Sequence, residues 1–178
     1  MGALRLAAAC LVLAAACAPS EAPRVQPAAD AAVRGFDRTT WGMTPDQVLS
    51  AEAPRARSVA ADPQTSLGAL ARLVTMTGVE LGSETLVADL YFDAAGTLQT
   101  VAVKPADQGD PQANSRTFSS LERFLTKTYG PATRKEGGDS PRVFWEHPST
   151  TICLVYLSVF GGRISRVNVS YAPPGLVR

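Results

Sequence analysis

The chain is 178 residues long, with 46% hydrophobic and 19% charged residues, an ordinary globular mixture. Charge is uneven along it: residues 18–111 carry seven basic and twelve acidic side chains, residues 112–178 nine basic and four acidic. That balance argues against the overall basic face of a nucleic-acid binder. It leaves the second half either attracting the first or offering a positive face to an acidic partner or to anionic headgroups.

The first seventeen residues read MGALRLAAACLVLAAAC. Arg5 precedes an apolar run from Leu6 to Ala16, about the length of a signal core and too short to cross a bilayer. Ala14, Ala15 and Ala16 ahead of Cys17 resemble the lipobox of bacterial lipoproteins, with Ala14 where that family usually has Leu. The resemblance implies a signal peptide over 1–16 and a lipidated Cys17, palmitate included, as the first mature residue. It also implies a periplasm-facing place in the cell envelope. Ala18, in the place where Asp would retain the chain, implies the outer membrane rather than the inner. Ordinary cleavage nearby, releasing a soluble periplasmic protein, is the other reading of the same residues. Cys10 leaves with the signal, so an acylated Cys17 leaves Cys153 alone, a buried small hydrophobe within TICLVYL. Residues 17–34, rich in Pro and Ala, cannot offset their chain entropy by burial and read as a flexible tether.

A single domain is expected over 35–172, followed by a tail at 173–178. Thr44 to about Glu52 reads as a short helix stopped by Pro54, and 55–68 as a loop. LARLVTM (70–76) reads as a strand and TGVELGSE (77–84) as a turn. TLVADLYFD (85–93) alternates Leu86, Ala88, Leu90 and Phe92 with Val87, Asp89, Tyr91 and Asp93, and pairs through AAG with TLQTVAV (97–103). After a polar connection at 104–115, RTFSSLERFLTKTYGP places Phe118, Leu121, Phe124, Leu125 and Tyr129 on one helical stripe, closed by Gly130 and Pro131. RKEGGDSP turns, and RVFWEH, TICLVYLS and RISRVNVSY read as strands. LVADLYFDAAGTLQTVAV aligns with ICLVYLSVFGGRISRVNV, with Tyr91 opposite Tyr156 and Val101 opposite Val167. The expected fold is therefore α+β. It has an antiparallel sheet with helices on one face, built as two tandem helix–strand–strand–strand units over about 35–104 and 112–172.

WGMTPDQV (41–48) has the parts of a helix start. Thr44 is an N-cap, Pro45 suits the first helical position, and Asp46 complements the helix dipole. Gln47 completes a capping box, and Met43 with Val48 forms a hydrophobic staple. Trp41 alone has no capping role. Gly42, Met43, Thr44, Gln47 and Val48, with YGP (129–131) closing a later helix, resemble the SmpA/OmlA-type outer-membrane assembly lipoproteins. They also resemble the small secreted tandem-repeat domains that include the β-lactamase-inhibitor protein. The resemblance implies protein–protein contact and no catalysis.

Residue by residue, chemistry is sparse. His147 stands alone at a strand end, no cluster has zinc spacing, and neither a P-loop nor a G-x-S-x-G elbow is present. Asp107 and Asp110 lack the further oxygens of a calcium loop, and Asp89 and Asp93 read as solvated. No catalytic residue, metal or cofactor is expected. Candidate protein contacts are the aromatics Phe160, Trp41, Trp145, Tyr91 and Tyr156, with Phe160 foremost because it sits in a hairpin tip. The functional expectation is a lipid-anchored, non-catalytic envelope domain. Its partners are the membrane, through its lipid, and another envelope protein that it binds or scaffolds. The alternatives are an inhibitor-like module gripping an enzyme with a concave sheet, and a small-molecule or lipid carrier.

Overall fold

The helix start at Thr44 forms as its residues require, in a computed structural model that describes residues 33–176. The Thr44 hydroxyl accepts from the Gln47 N–H at 3.4 Å, and Gln47 Oε1 accepts from the Thr44 N–H at 2.9 Å. Pro45 opens α1 (Pro45–Ala51), whose Val48 enters the core beside Met43. The expected signal segment, Cys17 and the tether up to 32 lie outside the described residues.

Four strands follow α1: β1 (Ala56–Ser58), β2 (Ala71–Leu81), β3 (Glu84–Phe92) and β4 (Leu98–Lys104). Then come α2 (Pro111–Tyr129), β5 (Arg134–Glu136), β6 (Arg142–His147), β7 (Thr150–Val159) and β8 (Ile164–Ala172). The strands form one eight-stranded sheet in the order β1-β2-β3-β4-β8-β7-β6-β5, with every pairing antiparallel. Among the described residues the chain is thus α+β, with one antiparallel sheet and two α-helices.

Three elements differ from the sequence reading. Strand β2 does not turn at TGVEL but runs on to Leu81. A bulge between Met76 and Val79, with Gly78 at φ 67°, bends it without ending it. Helix α2 begins at Pro111 rather than Arg116. Asp110 caps it by accepting from the Gln112 N–H at 2.8 Å, and its first turn holds no large apolar residue to betray it. The segments read as a loop and a turn at 55–68 and 134–141 contain the three-residue edge strands β1 and β5. So short an edge offers little backbone for unwanted pairing.

Register fixes what each face carries. On one face Met76, Ala88 and Val103 form a row, as do Val74, Leu90, Val101, Tyr171 and Ile152. Helix α2 lays Leu121 and Leu125 on this face, both fully buried, and α1 adds Val48 to the same cluster. Each such leucine contributes roughly 2 kcal/mol by burial. Both helices cover this face. On the other face a row crosses seven strands: Thr75, Asp89, Ala102, Ser170, Cys153, Phe144 and Arg134.

Segment 33–43 threads past the start of β4. Leu98 donates to Met43 O at 2.9 Å and accepts from the Gly42 N–H at 3.0 Å. The Trp41 indole N–H donates to Ser149 O and Thr150 Oγ1, both at 2.9 Å, in the β6–β7 turn. Trp41 therefore ties the N-terminal end of the domain to its C-terminal half.

Candidate functional site

Among the described residues no helix covers the second face of the sheet. Its middle is lined by short side chains, Ala102, Ser170 and Cys153, between bulkier groups on either side. Toward β2 lie Tyr91 and a charge cluster about Asp89. Toward β5 lies Phe144, fully buried beneath the Arg134 guanidinium, which sits 3.7 Å above its ring centre.

Alternation along β3 turns Asp89 away from the apolar core, so the sequence reads it as solvated. The structure corrects this: Asp89 is 3% exposed. Lys104 Nζ lies 2.6 Å from its Oδ2, Arg72 Nη1 lies 3.4 Å from its Oδ1, and the Thr75 hydroxyl donates to Oδ1 at 3.2 Å. The cations come from the strands on either side, Arg72 on β2 and Lys104 on β4. A carboxylate this buried persists only when paired. Two cations thus share one carboxylate. Arg72 Nε is buried without a partner there. Tyr91, beside the cluster, has its hydroxyl pKa raised, first by burial and then by the Asp89 charge.

The other aromatic candidates scatter. Trp145 is 1% exposed, and its indole N–H donates to Gly130 O at 3.0 Å, where α2 ends. Tyr156 lies on the helix face, edge-on to Phe118 at 5.9 Å. Tyr91 and Tyr156 thus point to opposite faces and are not equivalent, contrary to their alignment in the sequence. Trp41 is half-buried in its tie to the β6–β7 turn. Phe160 is 77% exposed at the β7–β8 tip.

Three residues join Phe160 that the sequence does not single out. Leu157 and Ile164 are 44% and 43% exposed, and Arg163 is exposed in the loop between the strands. Pairing of Leu157 with Arg166 and of Val159 with Ile164 places Leu157 and Ile164 on the helix-free side, in line with Cys153 and Ser170, while Phe160 and Arg163 lie in the turn that joins the strands. The readable signal was the complete lack of Asp and Glu from 150 to 178.

Cys153 is buried, and burial pushes its thiol up to about 11, so it is unreactive at neutral pH. His147 stands edge-on to Tyr129 at 5.6 Å, and burial holds its imidazole below the ordinary histidine range. Among the described residues no three His, Cys, Asp or Glu side chains gather as metal ligands. Two open depressions lie on the outer side of α2, one lined by Glu122, Arg123, Thr126 and Lys127, the other by residues that include Ser83, Ser115 and Ser119. No helix among the described residues is long and apolar enough to cross a membrane.

No protein-family model matches the sequence, and neither does any curated protein. Among solved structures the chain is similar to a DUF4309 family protein (YjgB) from Bacillus subtilis subsp. subtilis str. 168. Identity is 13% and the TM-score 0.39, over 73% of this chain and 78% of that one.

Proposed function

We propose that this protein is a lipid-anchored, non-catalytic domain of the cell envelope, attached to the outer membrane through Cys17. It docks another envelope protein on the helix-free face of its sheet. The observation that carries this reading is that face itself. Among the described residues both helices cover one side of an eight-stranded sheet and none covers the other, where the short, half-buried Ala102 and Ser170 lie between Tyr91 and Phe144. A broad surface with aromatic and cationic borders suits a protein better than a small molecule.

We also infer that the sheet is two copies of one helix-plus-strands unit, in keeping with the tandem inhibitor-like domains that the sequence resembles. The strand order supports this, since α1 with β1 to β4 and α2 with β5 to β8 meet last strand to last strand. Pairing of Ala102 with Ser170 then matches Asp89 with Cys153, Leu90 with Leu154 and Val101 with Val169, two residues away from the sequence alignment that set Val101 opposite Val167. The SmpA/OmlA-type kinship belongs to the same proposal and rests on the helix-start motif.

Site-directed photo-crosslinking in intact envelopes tests the docking face. A crosslinker at Ala102 or Ser170 should trap one discrete partner, and one at Lys127, on the outside of α2, should not. The reverse pattern would overturn the reading. The mass of the mature N-terminus tests the anchor: an unmodified chain starting at or beyond Ala18 removes it.

A further inference from the structure

The β7–β8 hairpin outruns its neighbours. Strand β6 last pairs with β7 at Arg142 and Val155, and β4 meets β8 only between Val169 and Tyr171. The overhang is braced at its sides. Asn114 Nδ2 donates to Ser165 Oγ at 2.9 Å, Gln108 Oε1 accepts from the Val167 N–H at 2.8 Å, and Pro141 O accepts from the Tyr156 N–H at 3.0 Å. Only the end is bare, and there Phe160 stands between Leu157 and Ile164 in the chain, all three exposed. Phe160 adopts φ 53°, a conformation an aromatic residue rarely takes. Backbone strain at an exposed aromatic suggests selection for what the ring touches rather than for the turn.

Arg163 is exposed beside Phe160 and has no ion pair among the described residues. From 150 to 178 the chain has Arg163, Arg166 and Arg178 and no acidic residue. An aromatic ring flanked by aliphatic side chains, with a bare guanidinium beside it, matches an anionic lipid surface. The ring enters the boundary between headgroups and acyl chains while the cation stays among phosphates.

The geometry points to the tip of this hairpin as a second membrane contact, inserted into an anionic bilayer and orienting the domain that Cys17 anchors. The inference rests on the anchored reading above. Chain length permits it. Val33 O accepts from the Thr150 hydroxyl at the base of β7, and β7 extends ten residues from there, or about 33 Å. The residues from Cys17 to Val33 reach at most about 55 Å, so lipid and tip can enter one bilayer and leave the sheet face to the partner protein.

The test uses the full lipid-bearing chain with Phe160→Trp, reconstituted on vesicles of phosphatidylcholine and phosphatidylglycerol with brominated acyl chains. The unsubstituted chain, with Trp41 and Trp145, sets the background. The introduced indole should shift to the blue and be quenched by the bromines. Adding Arg163→Gln should weaken insertion about fivefold, the worth of one cation near an anionic surface. A chain that sediments with the vesicles while the new indole keeps its aqueous emission overturns the proposal. So does an indole that shifts only when envelope proteins are added, which makes the occupant a protein. A chain without lipid fails the anchored reading by its N-terminal mass, and with excess vesicles its indole still reports insertion or none.

Discussion

At the β3–β4 turn the Asp93 carboxylate takes four hydrogen bonds. They come from the Ala95 and Thr97 N–H groups at 3.0 and 2.9 Å, the Thr97 hydroxyl at 2.7 Å and the Gln99 amide at 2.9 Å. At the β7–β8 turn the backbone contributes one long bond, from the Arg163 N–H to Phe160 O at 3.4 Å. The first turn is polar, wired to its own strands and short. The second holds an exposed aromatic at positive φ followed by two glycines. Both join alternating strands of one sheet, so topology does not demand the difference. The first turn is held by hydrogen bonds within its own hairpin. An end like the second exposes an aromatic ring on strained backbone, which the proposed membrane contact would cover.

The largest expected effect lies in the first hairpin. Asp89→Ala leaves Lys104 and Arg72 facing each other without their shared carboxylate. Breaking a fully buried ion pair costs about 3–5 kcal/mol. Lys104 and Arg72 are 36% and 24% exposed and can turn toward water, so the expected loss is nearer 2 kcal/mol. Urea unfolding measures it. A loss below about 0.5 kcal/mol would mean that the cluster does not hold β2, β3 and β4 together, and that its charges are free for another purpose.

How far these features could be read in the sequence depends on where their cause lies. The helix start at Thr44 was legible because every contributing residue lies within one turn. So were the β3–β4 hairpin and the stripe of α2, which rest on local periodicity. Burial of Asp89 was not legible, because its cations come from positions 72 and 104 and only sheet register joins them. Nor was the continuation of β2 through Gly78, since glycine at a bulge and glycine at a turn look alike in one dimension. Phe160 was legible as a tip residue. Its companions Leu157 and Ile164 were not, because only the overhang of the hairpin exposes them.

The next effect is smaller and depends on pH. Hydrogen bonds from the Thr97 backbone and hydroxyl, then from Ala95 and Gln99, hold the Asp93 carboxyl below its ordinary range. A carboxyl whose folded pKa is depressed adds stability above its unfolded value of about 3.9 and loses it as pH falls through the folded value. Asp93→Ala should therefore lower the thermal midpoint at neutral pH, and the two midpoints should converge below about pH 4. A gap that stays constant into acid would show that Asp93 acts by shape alone, and the wired turn would lose its electrostatic part.

The smallest expected effect is the most discriminating. Phe160→Gly removes the largest side chain of the second turn and places a residue suited to φ 53° there. Glycine also frees the unfolded chain, which offsets the relief of strain. The two terms nearly cancel, and folding stability should stay within about 0.5 kcal/mol of the parent, as for other exposed positions. A phenylalanine that supported the fold would instead cost about 3–5 kcal/mol on truncation. Urea unfolding of the variant thus separates the two hairpins. If Phe160→Gly proves as costly as Asp89→Ala, the ring packs against the protein itself, and the second turn is as structural as the first.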